Sequence, residues 1–179
     1  ITLFMVEKGD GFQHGRKLEK LGYKGIDSAE LLFEDCYVPK ENIIGGIEGQ
    51  GFKQIMGGLE LGRINVASRG VGVAQAALDE AVKYAQQRET FGKPMARHQA
   101  IQLNGADMVT RTEDGSLLTY RAADFYDKGQ RCDIEAGMAK LFATEAARTN
   151  SMDSMRVHGG CGYSKEFRVE RFYRDAPLL

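Results

Sequence analysis

Three long stretches of this chain repeat their apolar residues every three or four positions, and that rhythm limits the fold more than any other feature. Ala67, Val71, Ala74, Leu78, Ala81 and Ala85 fall on one face of a helix. The pattern stops near residues 89–92, where Thr90-Phe91-Gly92-Lys93-Pro94 reads as a loop. Ile101, Gly105, Met108, Thr112, Gly115, Leu118, Ala122 and Phe125 carry a second helix to Gly129. A glycine inside a helix costs about 1 kcal/mol against alanine, so Gly105 and Gly115 predict close contact with a neighbouring helix. A third helix runs from Asp133, expected as its N-cap, through Met138, Leu141, Glu145 and Met152 to the break at Gly159. A shorter fourth covers Glu166 to about Asp175. Long amphipathic helices joined by short loops predict a mainly α fold, an antiparallel up-down four-helix bundle. The many small residues on the helix faces predict tight packing.

Residues 1–45 read differently. Ile1-Thr-Leu-Phe-Met-Val6 is apolar and β-branched, and Gly9-Asp10-Gly11 punctuates it. Residues 28–38 mix apolar and acidic positions and end at Pro39. Two strands alone are marginal in water, so these are expected to be the last strands of a truncated β-domain. The expected division is residues 1–45 for those strands and 46–179 for the helical bundle, itself truncated at its end. A glycine-rich hinge, Gly46-Ile-Glu-Gly-Gln-Gly-Phe52, opens the second part. The chain starts inside a strand-like run and stops just after a helical segment and Pro177. Both ends read as cut, and a piece of a longer protein is expected.

With 24 basic and 25 acidic residues the formal net charge is −1, so no global field draws nucleic acid or an anionic membrane. No apolar run approaches the roughly 20 residues that cross a bilayer. Cys36, Cys132 and Cys161 are far apart and odd in number, which predicts idle thiols in a reducing compartment, with no disulfide and no metal site.

Residues 156–175 place Gly159, Gly160 and Gly162 between two helical patterns. Glycine serves where backbone turns sharply or another group must come close, and a phosphate resting on freed amides is one such group. A plain helix–helix turn accounts for the same residues. Beyond the glycines come Tyr163, Glu166, Arg171 and Asp175. Upstream lie Arg88-Glu-Thr-Phe-Gly-Lys93 followed by His98 and Gln99, and Gly49-Gln-Gly-Phe52 leading to Leu59-Glu-Leu-Gly-Arg63. With these three motifs in order, the whole chain resembles the acyl-CoA dehydrogenase family, from the end of its middle β-domain through most of its C-terminal helical domain.

The resemblance implies FAD, held partly by a neighbouring subunit, and hence a homo-oligomer, dimer or tetramer. Arg88 would pair with the pyrophosphate, Thr90 would add a hydroxyl donor and Phe91 an apolar wall, with His98 and Gln99 near the same loop. Read without the family, Arg88 could satisfy the last carbonyls of its helix, and His98 and Gln99 could simply begin the next one. Gly159 and Gly160 would let the partner's FAD pass close to the backbone. Arg156 departs from the glutamine or acid usual there; it would contact adenosine or phosphate, or pair with an acid such as Asp153. His158 is assigned no chemistry. Glu60 and Arg63 would face the acyl-CoA, Arg63 near the pantetheine–phosphate part; otherwise they form a solvated i,i+3 pair.

The implied reaction is α,β-dehydrogenation of an acyl-CoA thioester to the trans-2-enoyl-CoA. A glutamate takes the α-proton, the β-hydrogen leaves as hydride to the flavin, and electrons pass to an electron-transfer flavoprotein. One family position for that glutamate, just before Arg63, is Gly62 here. Glu60 does not replace it, since a two-residue step turns about 200° around a helix. The other position lies in a Glu-Gly-Thr motif after Tyr173-Arg-Asp-Ala176, expected beyond Leu179. No catalytic residue is therefore expected within the chain, and this piece alone is expected to be inactive. An acyl-CoA oxidase shares the architecture. A non-catalytic helical module for oligomerisation or binding is the third possibility. A bacterial cytoplasm and a mitochondrial matrix fit equally.

Overall fold

The computed structural model describes residues 1–179. The chain divides into two compact units, Ile1–Leu59 and Glu60–Leu179. In the first, strands β1 (Phe12–Lys17) and β2 (Ala29–Phe33) form an antiparallel hairpin in which Phe12 faces Phe33, their rings stacked at 5.0 Å. Gly11 leads into it with φ +79°, and a Cβ there would lie 2.4 Å from the Glu34 carbonyl oxygen, so only glycine fits. Residues 1–6, expected as a strand, form only one bridge, Phe4 with Ile43. Around that bridge the Met5 amide donates to the Asn42 carbonyl, the Ile44 amide to the Leu3 carbonyl and the Gly51 amide to the Ile1 carbonyl. The run of residues 28–38 is a strand over its first half alone. β1 went unforeseen because Phe-Gln-His-Gly-Arg-Lys carries neither an alternating pattern nor a β-branched residue.

The helices are α1 (Gly51–Gln87), α2 (Gln99–Asp127), α3 (Asp133–His158) and the short α4 (Val169–Asp175). Their contacts fix the directions. Ile64 and Ala67 of α1 pack with Ala122 of α2 and with Ala136, Ala139 and Ala143 of α3. Further along, Ala77, Leu78, Ala81 and Ala85 pack with Met108 of α2 and Val157 of α3. α2 thus runs against α1, and α3 runs with it: an up-down-up arrangement, with α4 packed on α3. Alanine dominates the first cluster and makes up half of the second, which lets the backbones come close. The closest approach is at Gly70, where a Cβ would meet the Ala143 carbonyl oxygen at 2.8 Å. Gly115 does face α1 and α3 at ordinary contact distance, 3.5 Å from Val71. Gly105 does not: nothing lies within 4 Å of its missing Cβ, so no neighbour requires glycine there.

Asn150 ties the three long helices together. Fully buried on α3, its Nδ2 donates to the Met108 carbonyl and Thr112 hydroxyl of α2, both at 3.0 Å, and to the Ala74 carbonyl of α1 at 3.4 Å. Its Oδ1 accepts from Arg111 Nη1 at 2.6 Å, and Arg111 also reaches Asp153 at 2.9 Å.

Two helix starts differ from expectation. Cys132 occupies the cap position of α3 with no side-chain cap bond, and Asp133 is the first helical residue. Its carboxylate is taken instead by Arg131, at 2.7 and 2.9 Å, which holds it below its usual range. α4 begins at Val169 rather than Glu166. Ser164 forms turns instead, its hydroxyl accepting from the Glu166 amide and its carbonyl from the Phe167 amide.

Candidate functional site

At the end of α1 the chain reverses through a two-residue hairpin, β3 (Glu89–Thr90) against β4 (Lys93–Pro94). Phe91 and Gly92 make the turn, both left-handed, with φ +52° and +74°. Paired positive φ values are what a tight hairpin turn demands, and glycine or asparagine is the usual occupant of the first position. Phe91 takes it and is 96% exposed. The Arg88 amide donates to the Tyr84 carbonyl, and the Met95 amide to the Arg88 carbonyl, both at 2.8 Å. The Arg88 side chain is exposed.

His98 caps α2 and Gln99 is its first residue, exposed to solvent. His98 Nε2 lies 2.9 Å from Thr90 Oγ1 and 3.3 Å from the Thr90 carbonyl oxygen. A carbonyl only accepts, so the longer contact is a hydrogen bond when Nε2 carries the proton, whereas the shorter contact to the hydroxyl serves in either direction. The Phe91 ring meets His98 edge-on at 6.0 Å.

After α3 the chain tightens into a 3-10 turn over Gly159–Tyr163. Its glycines differ in purpose. Gly162 is required by packing, since a Cβ would lie 2.6 Å from the Met155 carbonyl oxygen. Gly159 is left-handed, φ +59°. Gly160 is exposed, with an ordinary φ and nothing within 4 Å of its missing Cβ, so no intrachain contact requires glycine there. Arg156, on the last turn of α3, pairs with Asp153 at 3.2 Å, the acid partner considered for it.

The Arg88 loop and the glycine turn converge. Tyr84, one turn before Arg88, stacks on His158 at 4.2 Å between ring centroids, and His158 immediately precedes Gly159. Sequence reasoning left Tyr84 out, although it continues the Ala77–Ala81 face of α1, and it missed the Asn150 network. Asn150, Ser151, Asp153 and Ser154, polar residues that are all buried on α3, carried the signal for the latter.

Glu60 and Arg63 lie toward the other end of α1, about 42 and 37 Å from Arg88 along the helix. Glu60 makes no ion pair with Arg63. Its Oε2 instead accepts from the buried Cys132 thiol at a long 3.9 Å. Burial, then the Glu60 and Glu135 carboxylates, push that thiol above its usual range. Gly62 is exposed with open space around it. The three cysteines are free, and no group of three or more His, Cys, Asp or Glu side chains is arranged to hold a metal. No helix is long and apolar enough to cross a membrane.

Residues 49–179 match the family model described as the acyl-CoA dehydrogenase C-terminal domain. An acyl-CoA dehydrogenase of Bacillus subtilis is 46% identical over 179 residues, 99% of this chain and 47% of its own length. The caffeyl-CoA reductase-Etf complex subunit CarC of Acetobacterium woodii is 44% identical over 180 residues, all of this chain and 47% of its own. The solved butyryl-CoA dehydrogenase of Megasphaera elsdenii superposes with a TM-score of 0.96 at 40% identity, covering 99% of this chain and 46% of that one. The chain belongs to the acyl-CoA dehydrogenase family of flavoprotein oxidoreductases and carries its C-terminal helical domain. It spans about half the length of these relatives.

Proposed function

We propose that the whole protein is an FAD-dependent acyl-CoA dehydrogenase. It would oxidise an acyl-CoA thioester to the trans-2-enoyl-CoA and deliver the electrons to an electron-transfer flavoprotein. The observation that carries this reading is the convergence of the Arg88 loop and the Gly159 turn, through Tyr84 and His158, in a chain of this family. The residues fit FAD: Arg88 is an exposed cation with no ion pair, Gly160 leaves open backbone, and Phe91 presents a bare ring. Arg88 holds the pyrophosphate through its planar fork. Thr90 donates its hydroxyl hydrogen, oriented by His98, while Phe91 walls the site and Gln99 adds amide donors. Gly159 and Gly160 admit the adenosine end, with Arg156 beside them. FAD, when bound, supplies the hydride acceptor.

Glu60 and Arg63 meet the acyl-CoA, Arg63 toward its pantetheine–phosphate part. Gly62 offers no base, so the group that takes the α-proton lies outside these residues, in a Glu-Gly-Thr-like motif. Residues 1–45 belong to a larger β-domain, and the bundle proper starts at about residue 46. An exposed apolar stripe on α3, Ile134, Met138 and Leu141, supports a dimer or tetramer in which the cradle serves a neighbour's FAD.

Replacing Arg88 by alanine in the full-length protein removes a charge-assisted contact of about 1.5–3 kcal/mol, about tenfold or more in FAD affinity. Flavin content after gel filtration measures it, and unchanged content would remove Arg88 from the site. The Acetobacterium woodii relative favours a second reading, the same bond chemistry run as reduction of an enoyl-CoA. Turnover of acyl-CoA with an oxidised acceptor, against turnover of enoyl-CoA with a reduced donor, separates the two.

A further inference from the structure

Tyr84 joins segments that are far apart in the chain. Its ring lies on His158 at 4.2 Å, with 26° between the planes, and meets Phe167 edge-on at 5.9 Å. His158 and Phe167 meet edge-on at 5.7 Å, closing a three-ring cluster. Each ring is anchored to something else. His158 is only 4% exposed, and its Nδ1–H donates to the Ser154 carbonyl at 2.8 Å. The Cys161 thiol in the glycine turn, together with burial, holds the Tyr84 phenol above its usual range. The Tyr84 carbonyl accepts the Arg88 amide. A shift of Tyr84 therefore moves Arg88 directly, and a shift of His158 moves Gly159.

We propose that Tyr84 is a positioning residue: stacked on His158 and edged by Phe167, it sets the spacing between the Arg88 cation and the Gly159 and Gly160 backbone. The inference rests on the reading that these two segments hold one dinucleotide. Two half-sites held at a fixed separation act together, and the second contact forms as an intramolecular event. A ligand that spans both, pyrophosphate plus adenosine, gains from the clamp. A ligand that reaches only one half does not. The clamp thus selects FAD over FMN, which lacks the adenosine half.

The test uses the full-length protein stripped of flavin and titrated with FAD and with FMN, alongside circular dichroism to verify the fold. Tyr84→Leu should weaken FAD about tenfold, the scale of a lost aromatic pair with its geometry, and leave FMN within about twofold. Tyr84→Phe keeps the stack and should restore most of the FAD affinity. Should Tyr84→Leu fail to fold, His158→Asn carries the same expectations, because it removes the ring but keeps an N–H within reach of the Ser154 carbonyl. A folded variant that binds FAD as the parent does, or that loses FAD and FMN equally, overturns the clamp. Parallel titration of Arg88→Ala distinguishes the two levels. If that variant also binds FAD normally the cradle itself is wrong, and if it alone is weakened only the clamp is.

Discussion

Phe91 is where conformation and exposure disagree most with stability. A left-handed backbone costs a side-chain-bearing residue about 1 kcal/mol or more, and a residue 96% exposed buries too little to offset it. Such strain points to a contact outside the chain. Phe91→Gly should raise the melting temperature of the flavin-free protein by a few degrees, up to about 1 kcal/mol, while lowering flavin retention. Melting curves run beside flavin content check both halves, and a lowered melting temperature would mean that the turn is unstrained. The neighbouring Thr90–His98 contact shows what sequence alone leaves open. The motif named both residues, but only the structure brings His98 Nε2 within 2.9 Å of the Thr90 hydroxyl.

Among the elements, glycines that look alike in sequence divide by what lies above them. Gly70→Ala gains helix propensity but drives a methyl into the Ala143 backbone, and overpacking of about 1–3 kcal/mol should win. Gly62→Ala meets open space and should stabilise by up to about 1 kcal/mol. Urea denaturation of the two variants should shift in opposite directions. α4 depends on pH. Glu170 accepts from Arg174 Nε at 2.6 Å and Nη2 at 3.0 Å, which holds its carboxyl below the usual range. A carboxyl depressed on folding contributes stability above its unfolded pKa and loses it as pH falls through the folded one. Amide exchange in α4 should therefore be insensitive to pH above about 5, once corrected for intrinsic rates, and lose protection below about 4. Glu170→Gln should abolish that dependence. The long helices were legible because thirty or so residues of repeating apolar positions overwhelm local exceptions. The strands were not: Ile1 to Val6 has the composition of a strand yet forms a single bridge, at Phe4, and β1 has the pairing without the composition. The glycine and proline loops of the site were legible because their backbones restrict residue choice. The Tyr84–His158 contact is tertiary, and no local pattern encodes it.

Across the whole molecule, Asn150 is the residue whose loss reaches furthest. Asn150→Ala removes the bond that the Thr112 hydroxyl accepts, while that hydroxyl still donates to the Met108 carbonyl, removes one bond to Arg111, and leaves a small cavity among three helices. The cost should be about 3 kcal/mol, with α1, α2 and α3 losing protection together. Hydrogen exchange measures it, and loss confined to α3 would show that the helices are held independently. Because α1 and α3 run the same way, both finish at the end of the bundle where Arg88 and Gly159 sit, and α2 begins there. Helix ends carry about half a charge, negative at the finish and positive at the start. Two finishes and one start leave the peptide field slightly repulsive to an anion. The diphosphate binding proposed for this end would therefore fall to side-chain cations, of which it carries Arg88, Lys93, Arg97 and Arg156. A grip made by exposed side-chain charges would loosen as salt screens them.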